Sequence, residues 1–313
     1  MKTSVGARFT IDGLTDSIDD KILTLPDGRA LGYCEYGTPR GEPVIYCHGY
    51  PASRLQAALA HPVASRLGLR IVSADRPGFG LSDPQPGRTL LDWPKDVEAL
   101  ADALGLERFA VLGVSGGGPY ALACAYALPG RVTSAVVVCG LAPLSAPGVL
   151  ANANWLARSS FFLALHAPGL LKLFHTLIIY GVMRAHPEWV LRWMAGDRAA
   201  DRELLARTDI LDAVAAPIRE SFRQGAAGAT AEFRLYALDW GFDLGAIQVP
   251  VHIWQGEADK TVPPSHARYL AGALPNARLT SVPGEGHFSL PVNHMLEIFG
   301  ELVRPATGGN QPG

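Results

Sequence analysis

Long hydrophobic runs, paired cysteines and an excess of either charge are all missing from this 313-residue chain, and each absence removes a class of function. The most apolar stretch, Trp155 to Met183, is broken by Arg158, Pro168, Gly169 and Lys172, which a membrane-spanning helix tolerates poorly. The first residues, MKTSVGARFTIDGLTDSIDD, lack the apolar block of a secretory signal. The cysteines Cys34, Cys47, Cys124 and Cys139 form no CxxC pair and no Cys/His cluster with zinc spacing. Cys47 and Cys139 lie in apolar runs and are expected to be buried as small hydrophobes. Lysine and arginine number 27 against 29 acidic residues, a net charge of −2, so no basic excess exists to neutralise phosphates. The expectation is a soluble, cytoplasmic protein that acts on a small molecule, with no nucleic-acid partner, no metal and no cofactor. No feature fixes an oligomeric state.

Glycine (34 residues) and proline (24) are plentiful and spread without a repeat, which implies many tight turns. The segments Lys21–Leu25 and Ala30–Tyr36 flank Pro-Asp-Gly and predict a hairpin. Short apolar strands are predicted over Val44–Cys47, Arg70–Ala74, Phe109–Val114 and Val132–Cys139. They alternate with helical spacing over Ser53–Leu67, Leu90–Leu104 and Gly117–Leu128. That alternation predicts a mostly parallel sheet covered on both faces. From about Pro143 to Gly245 the strand signals vanish, and Leu-rich, aromatic helical stretches replace them. Alternation returns with Val251–Gln255, His266–Leu274, Arg278–Val282 and Val292–Leu302. The chain therefore divides into an α/β core over 1–142 and 246–313 and a helical insertion over 143–245.

Gly113-Val114-Ser115-Gly116-Gly117 lies between a strand and an Ala-rich helix. A sharp turn there strains the serine backbone and lifts its hydroxyl above the sheet edge, and only tiny neighbours fit beside it. The helix N-terminus adds free N–H groups and positive dipole for a developing oxyanion. Serine needs a base to become nucleophilic. His287, in Gly284-Glu285-Gly286-His287-Phe288 after the last strand, is the best placed of nine histidines. His48 is expected to hold its own loop and His252 to pack within a strand. The remaining histidines have no acidic partner that sequence can assign. Asp259 follows the strand Val251–Gln255 and supplies the carboxylate that orients the imidazole, with Glu257 as a weaker rival. Asp75 and Asp83 are expected to pin their own loop. The backbone N–H groups of Tyr50, in His48-Gly49-Tyr50-Pro51, and of Gly116 would form an oxyanion hole.

With these motifs and Asp75-Arg76-Pro77-Gly78-Phe79-Gly80-Leu81-Ser82-Asp83 in place, the chain resembles the α/β-hydrolase superfamily, over about residues 20–142 and 246–303. The resemblance implies an eight-stranded, mostly parallel sheet with helices on both faces and an α-helical cap. It also implies Ser115 as nucleophile, His287 as base, Asp259 as orienting acid, and Tyr50 and Gly116 as oxyanion donors. A serine at the elbow argues against the epoxide hydrolases and haloalkane dehalogenases of that superfamily, which use aspartate. It leaves carboxylesters, lactones, thioesters, cofactor-free perhydrolysis and serine-dependent C–C hydrolysis. Proline iminopeptidases usually carry Trp after the serine, where this chain has Gly116. The apolar insertion suggests an apolar substrate, with Trp155, Phe162 and Phe288 expected to line its pocket. The resulting expectation is a carboxylesterase-like serine hydrolase acting on a small to medium apolar ester. A C–C hydrolase, which would recruit Arg158, Arg184 or Arg192, and a ligand sensor that retains the triad are the alternatives.

Overall fold

The computed structural model describes residues 19–150 and 155–303. Eight strands form one sheet in the order β1-β2-β4-β3-β5-β6-β7-β8. They span Lys21–Thr24 (β1), Ala30–Gly37 (β2), Glu42–Cys47 (β3), Leu69–Ala74 (β4), Phe109–Val114 (β5), Val132–Val138 (β6), Val251–Gly256 (β7) and Ala277–Val282 (β8). The first hairpin is antiparallel and β2 pairs antiparallel with β4, while β4, β3, β5, β6, β7 and β8 run parallel.

Successive side chains of β5 alternate between two cores. Phe109 and Val111 join the cluster beneath α2 (Trp93–Ala103), α3 (Gly118–Ala127) and α11 (Pro264–Ala273). Ala110, Leu112 and Val114 join the cluster beneath α1 (His61–Leu67) and α13 (Met295–Gly300). Burial on both faces explains why β5 and β6 read as continuous apolar runs rather than alternating ones.

Between β6 and β7 the chain forms seven α-helices among the described residues. They are α4 (Trp155–His166), α5 (Pro168–Phe174), α6 (Tyr180–Ala185), α7 (Pro187–Ala195), α8 (Ala199–Ala206), α9 (Thr208–Ser221) and α10 (Ala227–Ala237). Two expected helices are divided. Ser53–Leu67 becomes a 3₁₀ segment over Arg54–Ala60 followed by α1, with Pro62 in the first turn of that helix. Val292–Leu302 becomes α12 (Ser289–Asn293) and α13, separated at His294.

Among the described residues no helix is long and apolar enough to cross a membrane. All four cysteines are buried and free. His294 has the acidic partner that sequence could not assign, with Nε2 3.4 Å from Glu285 Oε1. The two residues lie nine positions apart, on either side of α12.

Candidate active site

Ser115 stands where β5 turns into α3 and has φ +53°, a conformation that costs a side-chain-bearing residue on the order of 1–3 kcal/mol. Its neighbours must be small. A Cβ on Gly113 would strike the Gly117 carbonyl, and one on Gly116 would stand 2.7 Å from Tyr50 Cβ and 2.6 Å from the Tyr236 hydroxyl.

Three residues from three strand ends meet above the sheet. His287 Nε2 lies 3.0 Å from Ser115 Oγ, and His287 Nδ1 lies 2.7 Å from Asp259 Oδ2. The other oxygen of Asp259 accepts the amides of Thr261 (2.8 Å) and Val262 (2.9 Å), which fixes the carboxylate. Glu257, its sequence rival, is exposed beside this group. Burial pushes the His287 pKa down. The charge and hydrogen bond of Asp259, together with the charge of Asp201, outweigh that effect, and the net shift is upward from 6.5. A protonated His287 ring is thereby stabilised.

The loop after β3 is held from below. The guanidinium of Arg76 donates to the carbonyls of His48 and Gly49, and Gly49 N donates to Gln56 Oε1 at 2.6 Å. Arg76 also pairs with Glu232 on α10 at 2.6 and 2.8 Å. Glu232 accepts from Arg88 at 2.9 Å and from Tyr120 at 3.0 Å. The Tyr236 hydroxyl lies 2.6 Å from Glu232 and 2.9 Å from the Gly116 carbonyl, so its single proton serves one acceptor at a time. One buried ionic cluster thus touches both segments expected to supply the oxyanion amides. Burial alone would raise the Glu232 pKa, but the two arginines overcome it and hold the group at about 2. His48, fully buried, accepts Arg76 N at 3.2 Å, and its pKa is driven well below 6.5 by burial. Asp75 pins its loop by accepting the amides of Arg54 and Leu81.

A cleft with about 1040 Å³ of empty space, open mouth included, leads to Ser115 and His287. Tyr46, Leu112, Met295 and Phe299 line it from the core side, and Met183, Leu191, Met194 and Ile218 from the inserted helices. Among the described residues, no Asp, Glu, Lys or Arg lines it. Of the expected pocket residues, Phe288 lines the cleft, and the side chain of Trp155 lies outside the described residues. Phe162 does not line it. It is 61% exposed and rests against His166, because its neighbour Phe161 takes the inward face of α4 and stacks on Phe233 at 4.8 Å. Adjacent helix residues point roughly 100° apart, so both cannot face inward. The lining methionines escape sequence reading because nothing in an apolar stretch marks which face meets the cavity. Trp189 and Trp193, also aromatic residues of the insertion, are 64% and 61% exposed.

Among the described residues, one group has donor atoms close enough for a cation. Cys139, Asp259 and His287 each offer an atom within 4.8 Å of the others. Asp259 and His287 are already bonded to each other, and burial drives the Cys139 thiol well above its usual pKa, so it stays protonated. That donor set suits a proton relay better than a metal.

A family model described as the alpha/beta hydrolase fold matches residues 42–177. A non-heme chloroperoxidase of Streptomyces lividans is 36% identical over 130 residues, which is 39% of this chain and 45% of that protein. The chain thus spans less than half the length of that relative. A non-heme haloperoxidase of Rhodococcus erythropolis is 29% identical over 293 residues, covering 87% of this chain and 94% of that protein. A solved alpha/beta hydrolase fold protein from Nakamurella multipartita superimposes with a TM-score of 0.64 at 22% identity, covering 91% of this chain and 99% of that one.

Proposed function

We propose that this chain, a member of the α/β-hydrolase superfamily, is a serine hydrolase that cleaves a small to medium apolar carboxylic ester, lactone or thioester. The observation that carries the reading is the Ser115–His287–Asp259 relay, with links of 3.0 and 2.7 Å, opening onto a cleft without a charged carboxylate, ammonium or guanidinium in its lining. In this mechanism Ser115 Oγ attacks the carbonyl carbon and passes its proton to His287 Nε2. The Tyr50 and Gly116 amides hold the oxyanion. His287 returns the proton to the leaving alkoxide, and water repeats the cycle on the acyl-enzyme.

The helices between β6 and β7 act as a cap over 143–245, with the core over 1–142 and 246–313. The cap contributes apolar side chains to the cleft, which favours an uncharged substrate. A C–C hydrolase acting on a charged dicarbonyl would need a cation in the cleft. Arg158, Arg184 and Arg192 are not in its lining, and Arg184 instead donates to the Tyr180 hydroxyl. An aminopeptidase would need an anion for the substrate amine, and none among the described residues lines the cleft. The haloperoxidase names of two relatives add one second reading, in which hydrogen peroxide replaces water as the acceptor of the acyl group.

Replacing Ser115 by Ala is expected to lower p-nitrophenyl butyrate turnover on the order of 10⁴–10⁶-fold with unchanged circular dichroism. Undiminished turnover would overturn the reading. Release of peroxyacid when peroxide is added tests the second acceptor. A single slow turnover with retained product would instead favour the sensor role.

A further inference from the structure

Three consecutive amides of the loop that carries His287 converge on one side chain from the inserted helices. His287 N donates to Asp201 Oδ2 at 3.1 Å, Phe288 N to Oδ1 at 3.0 Å and Ser289 N to Oδ1 at 2.9 Å. Asp201 lies on α8 and is fully buried, with Arg198 Nε 3.3 Å from Oδ2. The loop is shaped around this carboxylate. A Cβ on Gly286 would run into it, and Gly286 N is turned instead to Ser289 Oγ at 2.8 Å. Neither the relay nor the cleft lining includes Asp201.

We propose that Asp201 is a positioning residue for the base: a second carboxylate, delivered by the insertion, holds the loop on which His287 rides and so fixes the approach of the imidazole to Ser115. The proposal rests on reading Ser115, His287 and Asp259 as the reacting relay. Its physical basis is the cost of alternatives. Three N–H groups, two of them buried and one half-buried, would each lose a hydrogen bond to a charged partner if left without this acceptor, so the loop has one well-determined position while α8 is docked. The 3.0 Å contact between base and nucleophile then depends on a residue of the insertion. Such contacts are steep in catalysis, where misplacement of about 1 Å can cost on the order of a hundredfold.

The same carboxylate acts on the imidazole through its charge. The ionisable groups that face His287 are Asp259 from the end of β7, Cys139 from the end of β6, Ser115 at the elbow, and Asp201 with Arg198 from α8. Asp259 and Asp201 favour the protonated ring and Arg198 disfavours it. Removing Asp201 therefore moves the His287 titration to lower pH, and removing Arg198 moves it to higher pH. A residue that supports the fold from outside electrostatic reach of the ring would produce neither shift, and the fall in kcat separates positioning from charge alone.

The experiment compares Asp201→Asn, Arg198→Gln and wild type by steady-state kinetics on p-nitrophenyl butyrate across the acid and neutral range. NMR titration of the labelled His287 ring accompanies it. The amide of Asp201→Asn keeps the shape but turns an NH₂ group toward a loop N–H, so kcat is expected to fall on the order of tenfold to a hundredfold with little change in KM. The His287 titration and the acid limb of kcat/KM should move together to lower pH in Asp201→Asn and to higher pH in Arg198→Gln. An unchanged kcat in Asp201→Asn overturns the proposal, as does a fall in kcat with the His287 titration unmoved in both variants. If wild type lacks ester turnover, the substrate reading has failed while the NMR titration still reports on Asp201. Thermal melting of both variants identifies loss of fold, and if Asp201→Asn is unstable the Arg198→Gln arm, which removes a positive charge and keeps Asp201, decides, an unmoved His287 titration there overturning the proposal.

Discussion

Ser115 is held at φ +53° by a turn whose glycines leave no room for a side chain. This strain keeps the hydroxyl aimed at His287 and out of the sheet. Gly116 is one of these glycines, wedged between Tyr50 and Tyr236. Gly116→Ala should displace the amide expected to bind the oxyanion and lower kcat on the order of a hundredfold to a thousandfold. Comparison of kcat and KM on one ester separates this from a loss of substrate binding. The base makes a second residue-level prediction. Because the His287 pKa lies above 6.5, kcat/KM should begin to fall on acidification before an ordinary histidine would charge, and a pH–rate profile measures the limb directly. An acid limb below the ordinary histidine value would contradict the charge arrangement around the ring. These residue-scale features were legible in sequence because each is local. A serine in a glycine-rich turn, a histidine after the last strand and an aspartate after the one before it are short motifs at strand ends. Asp201 was not legible. An acidic residue in the first turn of a helix is ordinary helix chemistry, and only the folded chain brings it under the histidine loop.

At the scale of elements, α10 is tied to the core more firmly than a detachable cover would be. Glu232 and Tyr236 stand one helical turn apart on it, and together they reach Arg76, Arg88, Tyr120 and the Gly116 carbonyl. A Cβ on Gly228 would strike the Gly78 carbonyl, so helix and loop touch backbone to backbone. A second buried node joins α9 to the core, where Arg54 pairs with Asp75 and with Glu220 at 2.8 Å each. Glu232→Ala strands two buried arginines and is expected to cost about 3–5 kcal/mol in urea unfolding. A cost under 1 kcal/mol would mean that the cluster is solvated in solution. Helix α7 offers the contrasting case. Leu191 and Met194 face the cleft while Trp189 and Trp193 face solvent. Leu191→Trp should narrow the cleft and shift preference toward shorter acyl chains, read as the ratio of kcat/KM for acetate and octanoate esters. Sequence marked the insertion as helical without bounding or orienting its helices, since α4 and α5 are apolar on most sides and only packing selects the buried face.

For the molecule as a whole, the buried charges set its tolerance of acid. Glu232 titrates at about 2 in the folded protein against 4.5 ordinarily, so the folded state binds fewer protons than the unfolded chain across that interval. The corresponding stability is complete above the ordinary value and is lost as pH falls toward 2, a change of roughly 3 kcal/mol. His48, kept neutral by burial, adds acid sensitivity that begins below 6.5. Chemical denaturation repeated at descending pH should show this slope, and Glu232→Gln should flatten its lower part. A Glu232→Gln curve parallel to wild type would assign the slope to other carboxylates.

What the sequence determined by itself was whatever depends on neighbours along the chain. The β5 strand, Phe109–Val114, emerges with the limits its apolar run dictates, and the elbow follows directly from it. Alternation of strands and helices likewise dictates a parallel sheet, because crossover helices must cover both faces. The tertiary structure alone decided which apolar side chains of the insertion reach the cleft, where the last expected helix divides at His294, and which distant charges meet. Glu232 finds Arg76 across 156 residues and Asp201 finds the His287 amide across 86. No local propensity encodes such pairs. They form because desolvating a charge without a partner costs more than any local preference supplies, so the buried charges are paired only once the whole chain has closed around them.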